Sequence, residues 1–125
     1  MPPPRWLLED LDRACKLMGI DRRRILKVEV REFVKYGGMT VFLRRGGTLY
    51  FKLMINEHLL TDKEVVESVL LHELTHMKLK RSAHDGVFYA TLFRYIAPER
   101  YEELMERAEA VLLQALKARL RRNGR

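Results

Sequence analysis

The sequence predicts an α+β fold: an N-terminal helix, a small three-stranded and mostly antiparallel sheet, and three further helices. Three observations predict it. Trp6, Leu7, Leu11, Ala14 and Leu17 or Met18 recur at three- and four-residue intervals, the period of an amphipathic helix. Between Ile25 and Ile55 apolar residues alternate with polar ones, the two-residue period of half-buried strands. From Thr61 onward the helical period returns and holds nearly to the C-terminus. A chain of 125 residues suits one domain (1–125) with a modest hydrophobic core. The central part of that domain is expected over about 25–96, with a C-terminal helix at 98–122.

Pro2-Pro3-Pro4 reads as a short extended arm, because proline cannot continue a hydrogen-bonded ladder. The first helix should stop at Gly19, a natural left-handed cap, and Asp21-Arg22-Arg23-Arg24 is a charged connection. In the first strand Leu26, Val28 and Val30 face one way and Lys27, Glu29 and Arg31 the other. Gly37-Gly38 makes a turn, Thr40 to Arg44 a second strand, and Arg45-Gly46-Gly47 a tight hairpin. Leu49, Phe51, Leu53 and Ile55 define the third strand. Thr61-Asp62-Lys63-Glu64 has the form of a capping box, so a helix is expected from there to about Leu79. Ser82, with Asp85 three positions on, reads as the cap of another helix whose His84, Phe88, Leu92 and Tyr95 share a side. Pro98 suits the first turn of the last helix.

Composition removes several classes of protein. The single cysteine, Cys15, excludes an internal disulfide and a cysteine-based zinc ribbon. Charged residues interrupt every apolar run well short of about 20 residues, so no transmembrane helix is expected. The N-terminus has no apolar leader, and with one thiol a cytoplasmic setting is expected. The net charge is +7, from 24 Lys and Arg against 17 Asp and Glu. That balance admits polyanionic partners, nucleic acid among them, or acidic substrates. It is equally the mark of a solvated surface of ion pairs.

The chemistry-bearing stretch is His72-Glu73-Leu74-Thr75-His76, inside an apolar helical segment. Residues four apart lie on one helix face, so His72 and His76 can offer two imidazole nitrogens to one Zn²⁺. Glu73 stands beside them as the candidate catalytic base, and the pattern is a signature of zinc-dependent peptide hydrolysis. Val65 and Val69 continue the histidine stripe, as a buried wall behind the metal would. Catalytic zinc commonly has three protein ligands and an open position. His84, eight residues after His76, is the candidate third ligand if the next helix folds back. A carboxylate of the last helix, Glu102 or Glu103, is the alternative. His58 has no ligand spacing and reads as a loop residue. Tyr89, Tyr95 and Tyr101 are each candidates for an oxyanion donor.

A sheet leading through Ile55-Asn56 into a helix that carries His72-Glu73-Leu74-Thr75-His76 resembles the minimal half of a zincin metallopeptidase. His84-Asp85-Gly86-Val87-Phe88 resembles the His-x-x-x-Phe element of SprT-like and related small intracellular zincins. The order of elements also resembles the minigluzincins, whose third ligand is a glutamate. The SprT-like resemblance implies zinc on His72, His76 and His84 with Glu73 as the base. It covers about residues 25–96, and the cysteine ribbon of many SprT-like proteins is missing. Zincins offer an edge strand to substrate, and Leu49–Ile55 is the expected one. The long last helix is expected to cover the cleft and hold the protein latent.

Two other functions fit parts of the pattern. Three-histidine metal-dependent endoribonucleases also have helical His-x-x-x-His followed by a third histidine, but they typically lack a glutamate at the position of Glu73. A non-catalytic interaction module with structural zinc would need a fourth protein ligand. The oligomeric state is not encoded in any feature of the sequence.

Overall fold

A computed structural model describes residues 1–33 and 36–124. Helix α1 (Arg5–Met18) ends at Gly19, whose φ of 70° is the left-handed cap conformation. Its buried side chains Leu7, Leu11, Ala14, Cys15 and Met18 form the expected stripe. Burial of Cys15 pushes its thiol up to about 11, so it stays protonated and inert at neutral pH.

The strands are β1 (Ile25–Arg31), β2 (Gly38–Arg45) and β3 (Thr48–Asn56). They lie in the order β1-β3-β2, with β3 in the centre. The two-residue loop Gly46-Gly47 has φ of 56° and 81°, which a type I′ hairpin requires. That hairpin makes β2 and β3 antiparallel. β1 pairs with the other side of β3 and runs parallel to it. The sheet is therefore mixed, with one parallel and one antiparallel pairing.

The phase of β1 also differs from expectation. The register shifts between Ile25 and Lys27, leaving Leu26 45% exposed while Ile25 and Val30 are buried. A bulge turns one residue out of the pleat and reverses the alternation beyond it.

Helix α2 (Lys63–Leu79) lies over the sheet. Its cap is Asp62, whose side chain accepts from the Val65 amide, one residue after the Thr61 expected from the capping-box pattern. Glu64 does not return the bond; it pairs with Arg100 and Arg107. Arg107 also holds Asp62, so the cap is tied to the last helix, and these contacts together displace the local pattern. Helix α3 (Gly86–Leu92) is capped by Asp85, not Ser82, and is correspondingly shorter at its start. Helix α4 (Pro98–Asn123) begins with proline in its first turn as expected.

One cluster of buried apolar residues runs from Leu7 and Leu11 through Leu53, Ile55, Leu70 and Leu74 to Phe88, Leu92, Leu104 and Ala108. It takes in α1 and α4 as well as the sheet and α2. No described helix is long and apolar enough to cross a membrane.

Candidate metal centre

α2 presents His72 and His76 one turn apart, and a residue from another element completes the group. His84 lies in the connection before α3, just ahead of the Asp85 cap. The tight turn at Lys80, with φ of 57°, reverses the chain after α2 and brings His84 back. The His84 Nε2 stands 3.0 Å from that of His72 and 3.0 Å from that of His76, which are themselves 3.3 Å apart. Phe88, fully buried, packs its ring against all three imidazoles at centroid distances of 4.6–5.0 Å. These three nitrogens can hold a metal ion.

The outer nitrogens are also engaged. His76 Nδ1 lies 3.0 Å from the Arg81 carbonyl. A carbonyl only accepts, so Nδ1 carries the proton and the inward Nε2 keeps its lone pair. His72 Nδ1 lies 2.7 Å from the Tyr101 hydroxyl of α4. Burial, reinforced by the neighbouring imidazoles, pushes His72 down to about 3 and lowers His76 as well. Both rings are thus neutral, as metal ligation needs.

Glu73 is 5% exposed and its carboxylate reaches within 3.9 Å of His72 Nε2. Burial pushes it up to about 7, against a hydrogen bond from the Thr40 hydroxyl at 2.9 Å that favours the ionised form. A carboxylate poised near neutrality is suited to take and return a proton. Gly38 and Gly37 open the approach beside it. A Cβ on Gly38 would meet Val69 Cγ1 at 2.7 Å and Glu73 Cγ at 3.3 Å.

A pocket of about 260 Å³ adjoins Glu73, His72 and His84, walled by Val69 and by Met105, Ala108 and Leu112 of α4. Glu102 and Glu103 are not part of it. Both are exposed, and Glu103 pairs with Arg100 and Arg107. Glu109, nearly two turns further on, is the α4 carboxylate that lines the pocket. His58 sits in a short 3₁₀ turn, 3.6 Å from Glu32 and away from the imidazole cluster. Of the tyrosines, Tyr101 is engaged by His72, and burial raises its hydroxyl above the ordinary range.

Leu49–Ile55 is not an edge. β3 is hydrogen-bonded on both sides, to β1 and to β2, so no further strand can add to it. Among the described residues, the strand with a free edge next to the site is β2, and Thr40 on it touches Glu73. Thr40 and Tyr101 could not be assigned these roles from sequence, because they lie 33 and 29 residues from their partners.

The architecture is a small α+β fold in which the outer edge of the sheet flanks a helix carrying His-Glu-x-x-His. The fold is similar to the crystal structure of the metallopeptidase zymogen of Methanocaldococcus jannaschii jannalysin, with a TM-score of 0.62 and 18% identity over 82% of this chain and 92% of that one. It is also similar to the metallopeptidase zymogen of Pyrococcus abyssi abylysin, with a TM-score of 0.56 and 23% identity over 82% of this chain and 90% of that one. No protein-family model matches the sequence, and no curated protein matches it significantly.

Proposed function

We propose that the chain is a zinc metallopeptidase of the His-Glu-x-x-His type, with His72, His76 and His84 holding the ion and Glu73 as general base. The observation that carries this reading is the convergence of three imidazole Nε2 atoms at 3.0–3.3 Å beside a buried carboxylate. A tetrahedral ion bound at about 2.0–2.1 Å holds its ligand nitrogens roughly 3.3–3.4 Å apart. The donor set fits, and three nitrogens leave a coordination position open. A histidine third donor favours kinship with SprT-like zincins over the glutamate-bearing minigluzincins.

Zinc bound there supplies a Lewis acid that polarises a peptide carbonyl and acidifies a water. The protein's own residues do the rest. Substrate lies extended along the free edge of β2, held by main-chain hydrogen bonds. Glu73 takes the proton of the attacking water, keeps it on a carboxylate oxygen, and gives it to the leaving amine. Thr40 holds that carboxylate in place. His76 is fixed in its tautomer by the Arg81 carbonyl, and Tyr101 fixes the ring of His72.

The test is incubation of zinc-loaded protein with casein and with RNA, each with and without chelator. Casein should be cut only without chelator. Glu73→Gln should keep its zinc and lose about 10²–10⁴ of the rate. Equal proteolysis by Glu73→Gln overturns the reading, and chelator-sensitive RNA cleavage without peptide cleavage favours the endoribonuclease.

Latency is part of the proposal, and α4 supports it by walling the pocket next to Glu73; both similar structures are zymogens. Truncation after Pro98 would remove the buried Leu104, Ala108 and Leu112 together with Tyr101. A better test keeps α4 and opens the pocket through Met105→Ala/Glu109→Ala. Faster cleavage is expected, and an unchanged or slower rate counts against latency.

A further inference from the structure

We infer that a basic cleft beyond the C-terminal end of β2 is a subsite for an acidic segment of the peptide substrate, with Arg44 and Lys80 as the selecting residues; this rests on the peptidase reading of the site. The cleft encloses about 620 Å³ between the β2–β3 hairpin, the connection after α1 and the end of α2. Four cations line it, Arg24, Arg44, Lys78 and Lys80, against one acid, Asp21. That acid is already occupied, accepting from the Arg23 amide and guanidinium and pairing with Arg24. Among the described residues no carboxylate forms an ion pair with Arg44, Lys78 or Lys80, whereas most other surface arginines have one. Unpaired cations gathered in a concave site focus a positive field.

Its position ties the cleft to the reacting centre. Thr40, which holds Glu73, and Arg44 lie on the same face of the free-edged strand β2, four residues apart. Four residues of extended chain span about 13 Å. A peptide paired along β2 with its scissile bond at Glu73 therefore brings a residue roughly four positions from that bond to Arg44. Lys80 follows His72 and His76 at the same four-residue spacing and caps α2. Lys78 is held in the cleft by donating to the Met18 carbonyl at 2.7 Å. The walls thus place cations where an extended peptide leaves the metal centre.

A nucleic-acid strand fits the cleft less well, because single strands bind by stacking bases on exposed aromatic rings between cations. The aromatic side chain lining the cleft, Phe51, is 4% exposed. The nearby Tyr50 ring is covered by the Arg24 guanidinium, 5.6 Å from its centroid.

Binding and cleavage together test the inference. Zinc-loaded Glu73→Gln is titrated by fluorescence anisotropy with a decapeptide carrying three adjacent Asp or Glu residues and with its Asn/Gln isostere. The acidic peptide should bind roughly tenfold tighter, with an advantage that shrinks as salt rises. Arg44→Glu/Lys80→Glu in that background should abolish the preference. Lys117→Glu/Arg121→Glu, the same charge change on the exposed end of α4, should leave it intact. In a peptide-library digest by the wild type, acids should be enriched about four residues from the cut bond. Equal affinity for the two peptides overturns the inference. So does a preference that survives the Arg44/Lys80 swap, or an oligonucleotide that binds through these residues more tightly than the acidic peptide. Preferential acidic-peptide binding by a wild type that cuts no peptide supports the subsite and refutes the peptidase reading instead.

Discussion

The Thr40 hydroxyl donates to Glu73 Oε1 at 2.9 Å, joining strand β2 to helix α2 across 33 residues of sequence. That bond stabilises the ionised carboxylate, while burial alone drives Glu73 toward the neutral acid. Glu73 must be ionised to accept a proton. Thr40→Val should therefore move the acid limb of the pH–rate profile upward and lower kcat/KM at neutral pH about tenfold. A profile that coincides with wild type would show that the hydroxyl does not tune the base.

Tyr101 sets the orientation of His72 from the first turn of α4. Tyr101→Phe keeps the ring in its packed place and removes the hydroxyl 2.7 Å from Nδ1. Loss of such an outer partner typically weakens metal binding by roughly 10–100-fold. Competition with a chromophoric chelator would measure it, and unchanged affinity would assign Tyr101 to packing alone.

The metal-free protein should show opposing pH effects from neighbouring residues. His72 falls from the ordinary 6.5 to about 3, so the folded state binds fewer protons than the unfolded between those values. Its contribution to stability is lost as pH falls through that window. Glu73 rises from 4.5 to about 7, and its contribution is lost as pH rises from 4.5 to 7. Between pH 4.5 and 6.5 Glu73 offsets His72, while His76, also lowered by burial, acts with His72, so Tm in chelator should rise only gently. In Glu73→Gln the two histidines act unopposed, and Tm should climb more steeply with pH across that interval. The same slope in both proteins would refute the assignment.

Gly38 allows the close approach of β2 to α2. An added Cβ there would sit 2.7 Å from Val69 Cγ1 and 3.1 Å from the Met54 carbonyl. Because one neighbour is backbone, Gly38→Ala should destabilise by about 1–3 kcal/mol and displace Glu73, lowering kcat. Urea melts would detect it; a shift under about 0.5 kcal/mol would mean the strand moves aside freely.

Much of this was legible in the chain because local periodicity governs it. The stripe Leu7, Leu11, Ala14, Met18 and the alternation Phe51, Leu53, Ile55 are buried as their spacing requires. His72, Glu73 and His76 share a helix, so their arrangement follows from helical geometry. His84 stands beside them, from the connection ahead of α3. What sequence patterns could not supply was set by contacts between distant segments. The central place of β3 comes from the order in which strands fill the sheet. The cap at Asp62 is held by Arg107, 45 residues away. Thr40 and Tyr101 become part of the site only after β2 and α4 have docked on α2.

Whether His72, His76 and His84 hold one zinc ion is tested most directly by metal stoichiometry. Wild type, His84→Ala and Glu102→Ala/Glu103→Ala are dialysed against buffered zinc and assayed by plasma emission spectrometry. Wild type and the double glutamate variant should each retain about one zinc per chain, the single site formed by three ligands. His84→Ala should lose it at zinc levels that saturate wild type. Full zinc in His84→Ala, or its loss from Glu102→Ala/Glu103→Ala, would contradict the account.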